Sequence, residues 1–126
     1  MWITDGRAQL VHGIDAAEFE RLVTAELDSL PDDMVNGIEN VGFVTQDRPD
    51  DGSLSLLGLY TGVALTRRGN YGFGELPDRI VLYREPLLSI SRDLDDLKHH
   101  IHVTMVHEIG HYYGLDDEEL QNLGWG

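Results

Sequence analysis

The chain contains no cysteine. Disulfides are excluded, and any metal site has to be built from His, Asp, Glu or main-chain oxygen. Long apolar runs are missing too. No stretch approaches the ~18 residues that would suggest a membrane-spanning helix. The start, Met1-Trp2-Ile3-Thr4-Asp5-Gly6-Arg7, lacks a basic segment followed by an apolar one, so no secretory signal is expected. These absences predict no membrane partner and a cytoplasmic setting. Positive charge is also scarce. Nine Lys+Arg stand against 23 Asp+Glu, a formal net charge of −14. A surface of that sign repels phosphate backbones and argues against nucleic acid as a partner. Its main expected effect is solubility, with a weaker field favouring basic substrates. The carboxylates are spread along the chain rather than gathered into one groove.

What is present fits a globular protein. The 126 residues are 41% hydrophobic, enough for a single domain over residues 1–126 that buries its own core. Helical spacing of Phe19, Leu22, Val23, Leu27 and Leu30 behind an Asp15 N-cap predicts a helix from Asp15 to Leu30, stopped by Pro31. Strands are predicted at Gly37–Thr45, within the extended segment Leu54–Thr66, and at Arg79–Arg84. The acidic stretch Gln46–Ser53 is expected to be a solvated turn. Arg67–Gly74 is a Gly-rich loop without the Lys-Ser/Thr ending of a phosphate loop. Pro86 suits the first turn of a short helix over Leu87–Ile90. Asp93 caps a long helix over Leu94–Tyr113, with Leu94, Leu97, Ile101, Met105 and Glu108 on one stripe. Gly114 is placed to end it in a positive-φ conformation. A last helix over Asp116–Leu123 turns Leu120 and Leu123 inward.

The long helix carries the chemistry. His107 and His111 are four residues apart, which puts both rings on one face, one turn apart. Glu108 lies about 100° around the helix from His107. From there a carboxylate reaches a metal-bound water without being a ligand itself. A catalytic zinc ordinarily has three protein ligands and one open position. Gly114 allows a sharp reversal after the helix, so that Asp117, three residues on, folds back over the two histidines; Asp116 is the alternative. Random shuffling of this composition produces HExxH in roughly two orders in a hundred. Adding the glycine and the acidic residue lowers that to roughly a few in ten thousand.

The segment His107-Glu108-Ile109-Gly110-His111-Tyr112-Tyr113-Gly114-Leu115-Asp116-Asp117 resembles the HExxHxxGxxD signature of bacterial zincin-like minimal metalloproteases, which are related in logic to metzincins. Leu57–Gly62, Leu76–Tyr83 and the tail Leu120–Trp125 are similar to the same family. The resemblance implies an α+β zincin-like fold: a small twisted mixed sheet of three or four strands on an N-terminal helix and the active-site helix. It implies Zn2+ held by His107, His111 and Asp117, with Glu108 as general base in peptide-bond hydrolysis. A peptide or unfolded protein segment would be the substrate, and the resemblance suggests Leu54–Tyr60 as the edge strand that pairs with it. The chain departs from metzincins in having no methionine after the motif. With nine residues beyond Asp117, an open site suited to flexible peptides is expected. The alternative on the same residues is a catalytically weak or inactive metal-binding module that retains the fold. His99, His100 and His102 read as ordinary helix residues, with an outer-sphere role for His100 as the lesser option. His12 has no informative context. Tyr60, Tyr71, Tyr112 and Tyr113 could each serve the core or an oxyanion.

Overall fold

The computed structural model describes residues 13–38, 41–62 and 78–123. Within them the order is α1 (Ala16–Ser29), α2 (Asp32–Val35), β1 (Val41–Gln46), β2 (Gly58–Thr61), β3 (Asp78–Tyr83), α3 (Arg84–Ser89), α4 (Leu94–Tyr112) and α5 (Asp117–Leu123). The sheet order is β1-β3-β2, with β3 parallel to β1 and antiparallel to β2. The architecture is α+β with a small mixed sheet, as expected. No helix among the described residues is long and apolar enough to cross a membrane.

β3 is central because its sequence is apolar on both faces. Ile80, Val81, Leu82 and Tyr83 are all buried, and such continuous runs belong to strands covered on both sides. Ile80 and Leu82 join the main core with Phe19 and Val23 of α1 and Leu97, Ile101, Met105 and Ile109 of α4. The three- and four-residue spacing of the α4 residues produces that stripe. Both long helices are capped as their sequences predict. Asp15 accepts from the Glu18 N–H at 2.9 Å, and Asp93 from the Asp96 N–H at 2.9 Å.

Several boundaries differ from the sequence expectation, each for a local reason. A short α2 follows Pro31, where Asp32 and Asp33 place negative charge in a helical first turn. β1 starts at Val41 rather than Gly37. Ile38 is still in a turn bonded to Val35, and the Tyr113 ring packs so close to Gly37 that a Cβ there would lie 2.8 Å from its hydroxyl. β2 is confined to Gly58–Thr61. The Ser55 N–H goes to Ser53 Oγ and the Ser53 N–H to Asp51, and such local side-chain bonds compete with a strand ladder. α3 begins at Arg84, three residues early; Arg84 bonds Asp47 at 2.9 Å, and Arg48 pairs with Glu85. The acidic turn is thereby tied to the start of α3. Leu123 is 57% exposed, so of the two leucines expected to point inward from α5 only Leu120 does. Residues 63–66 of the second expected strand, the loop Arg67–Gly74, His12 and Tyr71 lie outside the described residues.

One glycine decides how near α4 comes to β2. A Cβ on Gly58 would meet Thr104 Cγ2 of α4 at 2.7 Å and the Val81 carbonyl oxygen at 3.1 Å. The second neighbour is backbone and cannot rotate away. Gly58→Ala is therefore expected to destabilise the fold by about 1–3 kcal/mol through overpacking, read as a thermal midpoint several degrees lower. An unchanged midpoint would contradict this account of the β2–α4 contact.

Candidate metal centre

His107, Glu108 and His111 project from the last two turns of α4 and bring one donor atom each within 4.8 Å of one another. The two imidazoles lie with ring centroids 4.5 Å apart at 77°, as the four-residue spacing requires. The chain beyond the helix supplies the third group. Gly114 has φ 86°. The Leu115 N–H bonds the Gly110 carbonyl and the Gly114 N–H the His111 carbonyl, each at 3.0 Å. This is a Schellman closure, which needs a left-handed residue where the glycine stands. α5 then starts with a reciprocal capping box. The Glu119 N–H bonds Asp116 Oδ1 at 2.8 Å and the Asp116 N–H bonds Glu119 Oε1 at 3.0 Å. Asp116 is thus occupied as a helix cap. Asp117, the next residue, faces the histidines. Its Oδ1 lies 3.2 Å from His107 Nε2 and 3.5 Å from His111 Nε2.

These distances bear on whether a metal ion fits. Four tetrahedral donors at ~2.0–2.2 Å from zinc stand roughly 3.3 Å from one another. The two Nε2–Oδ1 separations bracket that value. As hydrogen bonds they are at or beyond the long end of the range. On its other side the His111 ring has Nδ1 3.3 Å from Glu108 Oε1, so a carboxylate flanks each ring nitrogen, and a cation among the two Nε2 atoms and the Asp117 oxygen would offset that negative charge. The donor set His107, His111 and Asp117 therefore fits a divalent ion.

Glu108 is nearly buried, 8% exposed, and its Oε1 accepts the backbone N–H of Tyr60 in β2 at 2.8 Å. A buried carboxylate needs such a partner. Among the described residues Oε2 takes no hydrogen bond. Tyr60 is held in turn, its hydroxyl donating to the buried Asp78 at 2.6 Å and its ring meeting Tyr112 edge-on at 6.0 Å. Tyr113 donates to the Met34 carbonyl at 2.7 Å, and burial pushes its phenol pKa up, so it stays a donor there. His100 and His102 are not brought to this cluster. His100 contacts Ser91 at 3.0 Å, and His102 pairs with Glu26 of α1 at 2.5 Å.

Sequence reasoning did not single out the Tyr60 N–H, Asp78 or Gly110. A backbone donor has no residue-type signature, and a lone buried aspartate cannot be told from the exposed acidic residues around it. Gly110 did leave a signal, since a helix-interior glycine costs ~1 kcal/mol relative to alanine and implies a packing reason.

An HExxH helix whose chain reverses to bring a carboxylate near its histidines, set beneath β2, is the arrangement expected of a zincin-type site. The chain belongs to the zincin-like metallopeptidase family, whose sequence profile matches residues 38–125. Among solved structures it is similar to a conserved hypothetical protein from Thermo thermophilus, at 24% identity and a TM-score of 0.54, over 87% of this chain and 97% of that one. That likeness is one of fold. No curated protein sequence matches the chain significantly.

The capping role of Asp116 separates it from Asp117 experimentally. Asparagine is as good an N-cap as aspartate, so Asp116→Asn should leave zinc affinity close to wild type. Asp117→Asn should weaken it by more than the ~10–100-fold typical of losing an outer-sphere partner. Competition against a chromophoric chelator measures both, and the reverse ranking would make Asp116 the ligand.

Proposed function

We propose that the chain is a zinc-dependent peptidase acting on peptides or unfolded protein segments in the cytoplasm. The observation that carries this reading is the single Asp117 oxygen set 3.2 Å and 3.5 Å from two histidine Nε2 atoms, with Glu108 touching one of those rings. His107, His111 and Asp117 would hold the ion. When bound, zinc supplies Lewis-acid polarisation of a carbonyl and lowers the pKa of water towards ~7. Iron, cobalt or nickel would also suit this donor set, and the family relationship favours zinc.

The remaining steps belong to the protein. Glu108 Oε2 takes a proton from the attacking water and returns it to the departing amine nitrogen. The Tyr60 N–H holds Oε1, which fixes the carboxylate in place for both transfers. Among the described residues β2 is an edge strand, and its outer side offers main-chain groups to an extended peptide. One of them, the Tyr60 N–H, is already engaged by Glu108, so pairing with substrate rests on the groups that flank it. Asp117 is 79% exposed at its side chain. A centre that open accepts a flexible segment more readily than a folded loop.

The same exposure favours a second reading, a metal-binding module that does not cut protein. A panel of unstructured peptides incubated with and without chelator separates the two. Cleavage that chelator abolishes and zinc restores is expected; stoichiometric zinc with no such cleavage would establish the binding module instead. Glu108→Gln is expected to retain zinc and lose about 10²–10⁴-fold in turnover. Wild-type turnover in that variant would remove Glu108 from its role.

A further inference from the structure

Among the described residues α5 has one buried anchor. Of its seven residues only Leu120 is buried, and it is fully buried. Leu120 seats against Gly110, in the middle of the ligand-bearing motif. A Cβ on Gly110 would lie 2.1 Å from Leu120 Cδ2, 3.2 Å from Cγ and 3.3 Å from Cδ1. The branch carbon and the second methyl are close as well, and Leu120 is fully buried, so its side chain has little room to turn. Leu120 and Asp117 are three residues apart on one helix, hence neighbours on its surface. The carbonyl of the same Gly110 closes the Schellman turn through Leu115. Gly110 thus fixes both the turn that launches α5 and the hollow that receives it.

We propose that the Gly110–Leu120 contact is a positioning device for the metal centre. It sets the height of Asp117 Oδ1 above the two imidazoles, and two residues without a donor atom therefore govern metal affinity. The inference rests on the His107, His111 and Asp117 reading of the site. Magnitudes support it. Carbon atoms settle at ~3.5–4.0 Å, so a methyl placed 2.1 Å from Leu120 Cδ2 forces either the buried Leu120 side chain to turn or α5 to shift. A metal site tolerates errors in ligand distance of only ~0.2 Å. A shift of α5 by more than that, taken up in relieving the contact, is enough to disturb the site.

The test uses the full chain and two readouts: zinc affinity by chelator competition, and the visible ligand-field spectrum of the cobalt(II) form. Gly110→Ala is expected to lose about 10–100-fold in zinc affinity, the scale of an outer-sphere defect, and to alter the cobalt band, with the helical circular dichroism of the metal-free protein retained. Adding Leu120→Ala to it removes the clashing branch and should recover at least part of the affinity. In an Asp117→Asn background Gly110→Ala should cost almost nothing further, because the ligand it positions is gone. Wild-type affinity and spectrum in Gly110→Ala would overturn the proposal, as would an equal loss in the Asp117→Asn background. If Asp117→Asn itself binds zinc as tightly as wild type, the ligand assignment fails, and the positioning role with it. Should Gly110→Ala fail to fold, Leu120→Ala alone reads the same contact from the other side: weakened zinc binding supports the device, and undiminished binding refutes it.

Discussion

Two histidines one turn apart on a helix face the same way whatever surrounds them, but a third donor has to be carried back to them by the chain. Everything specific to this centre depends on that return. The helix must stop without fraying, the backbone must reverse within a few residues, and the next helix must land at a fixed height. Each step has its own residues: Gly114 at the reversal, Asp116 and Glu119 at the new start, and Leu120 packed on Gly110. Asp117 brings its Oδ1 to 3.2 Å and 3.5 Å from the two histidines.

A comparable economy holds on the strand side. Glu108 sits where α4 meets β2, and that meeting is close because Gly58 has no side chain to intervene. The approach lets a backbone N–H rather than a side chain satisfy the buried carboxylate. The strand is itself steadied from beneath by the Tyr60–Asp78 hydrogen bond. Absent side chains at Gly58 and Gly110 let two neighbouring elements close on the ligand-bearing helix. The structure uses volume left out of the chain to place charge accurately.

The sequence was most legible where geometry is local. Helices α1 and α4 and their aspartate caps follow from periodicity and short-range hydrogen bonding, and β3 from its unbroken apolar run. The pairing of His107 with His111 follows from helical repeat alone. Legibility fell where side chains compete with the backbone or distant groups intervene. Ser53 and Ser55 draw Leu54–Leu57 out of the expected strand, and Tyr113 crowds Gly37 out of the first one. Leu123 obeys helical spacing but stays largely in solvent, while Leu120 finds a hollow.

The choice between Asp116 and Asp117 shows the division most clearly. The sequence alone determined that an acidic residue follows the glycine turn at a distance able to reach the histidines, because the reach of a chain is set by residue count. It could not determine which carboxylate does so, since both are within reach. The tertiary structure decided it by giving Asp116 to the cap of α5 and by seating Leu120 on Gly110, a contact between two helices. Periodicity describes a single helix and carries no information about how deep its neighbour sinks. That depth is a property of packing, and packing sets where the Asp117 carboxylate stands.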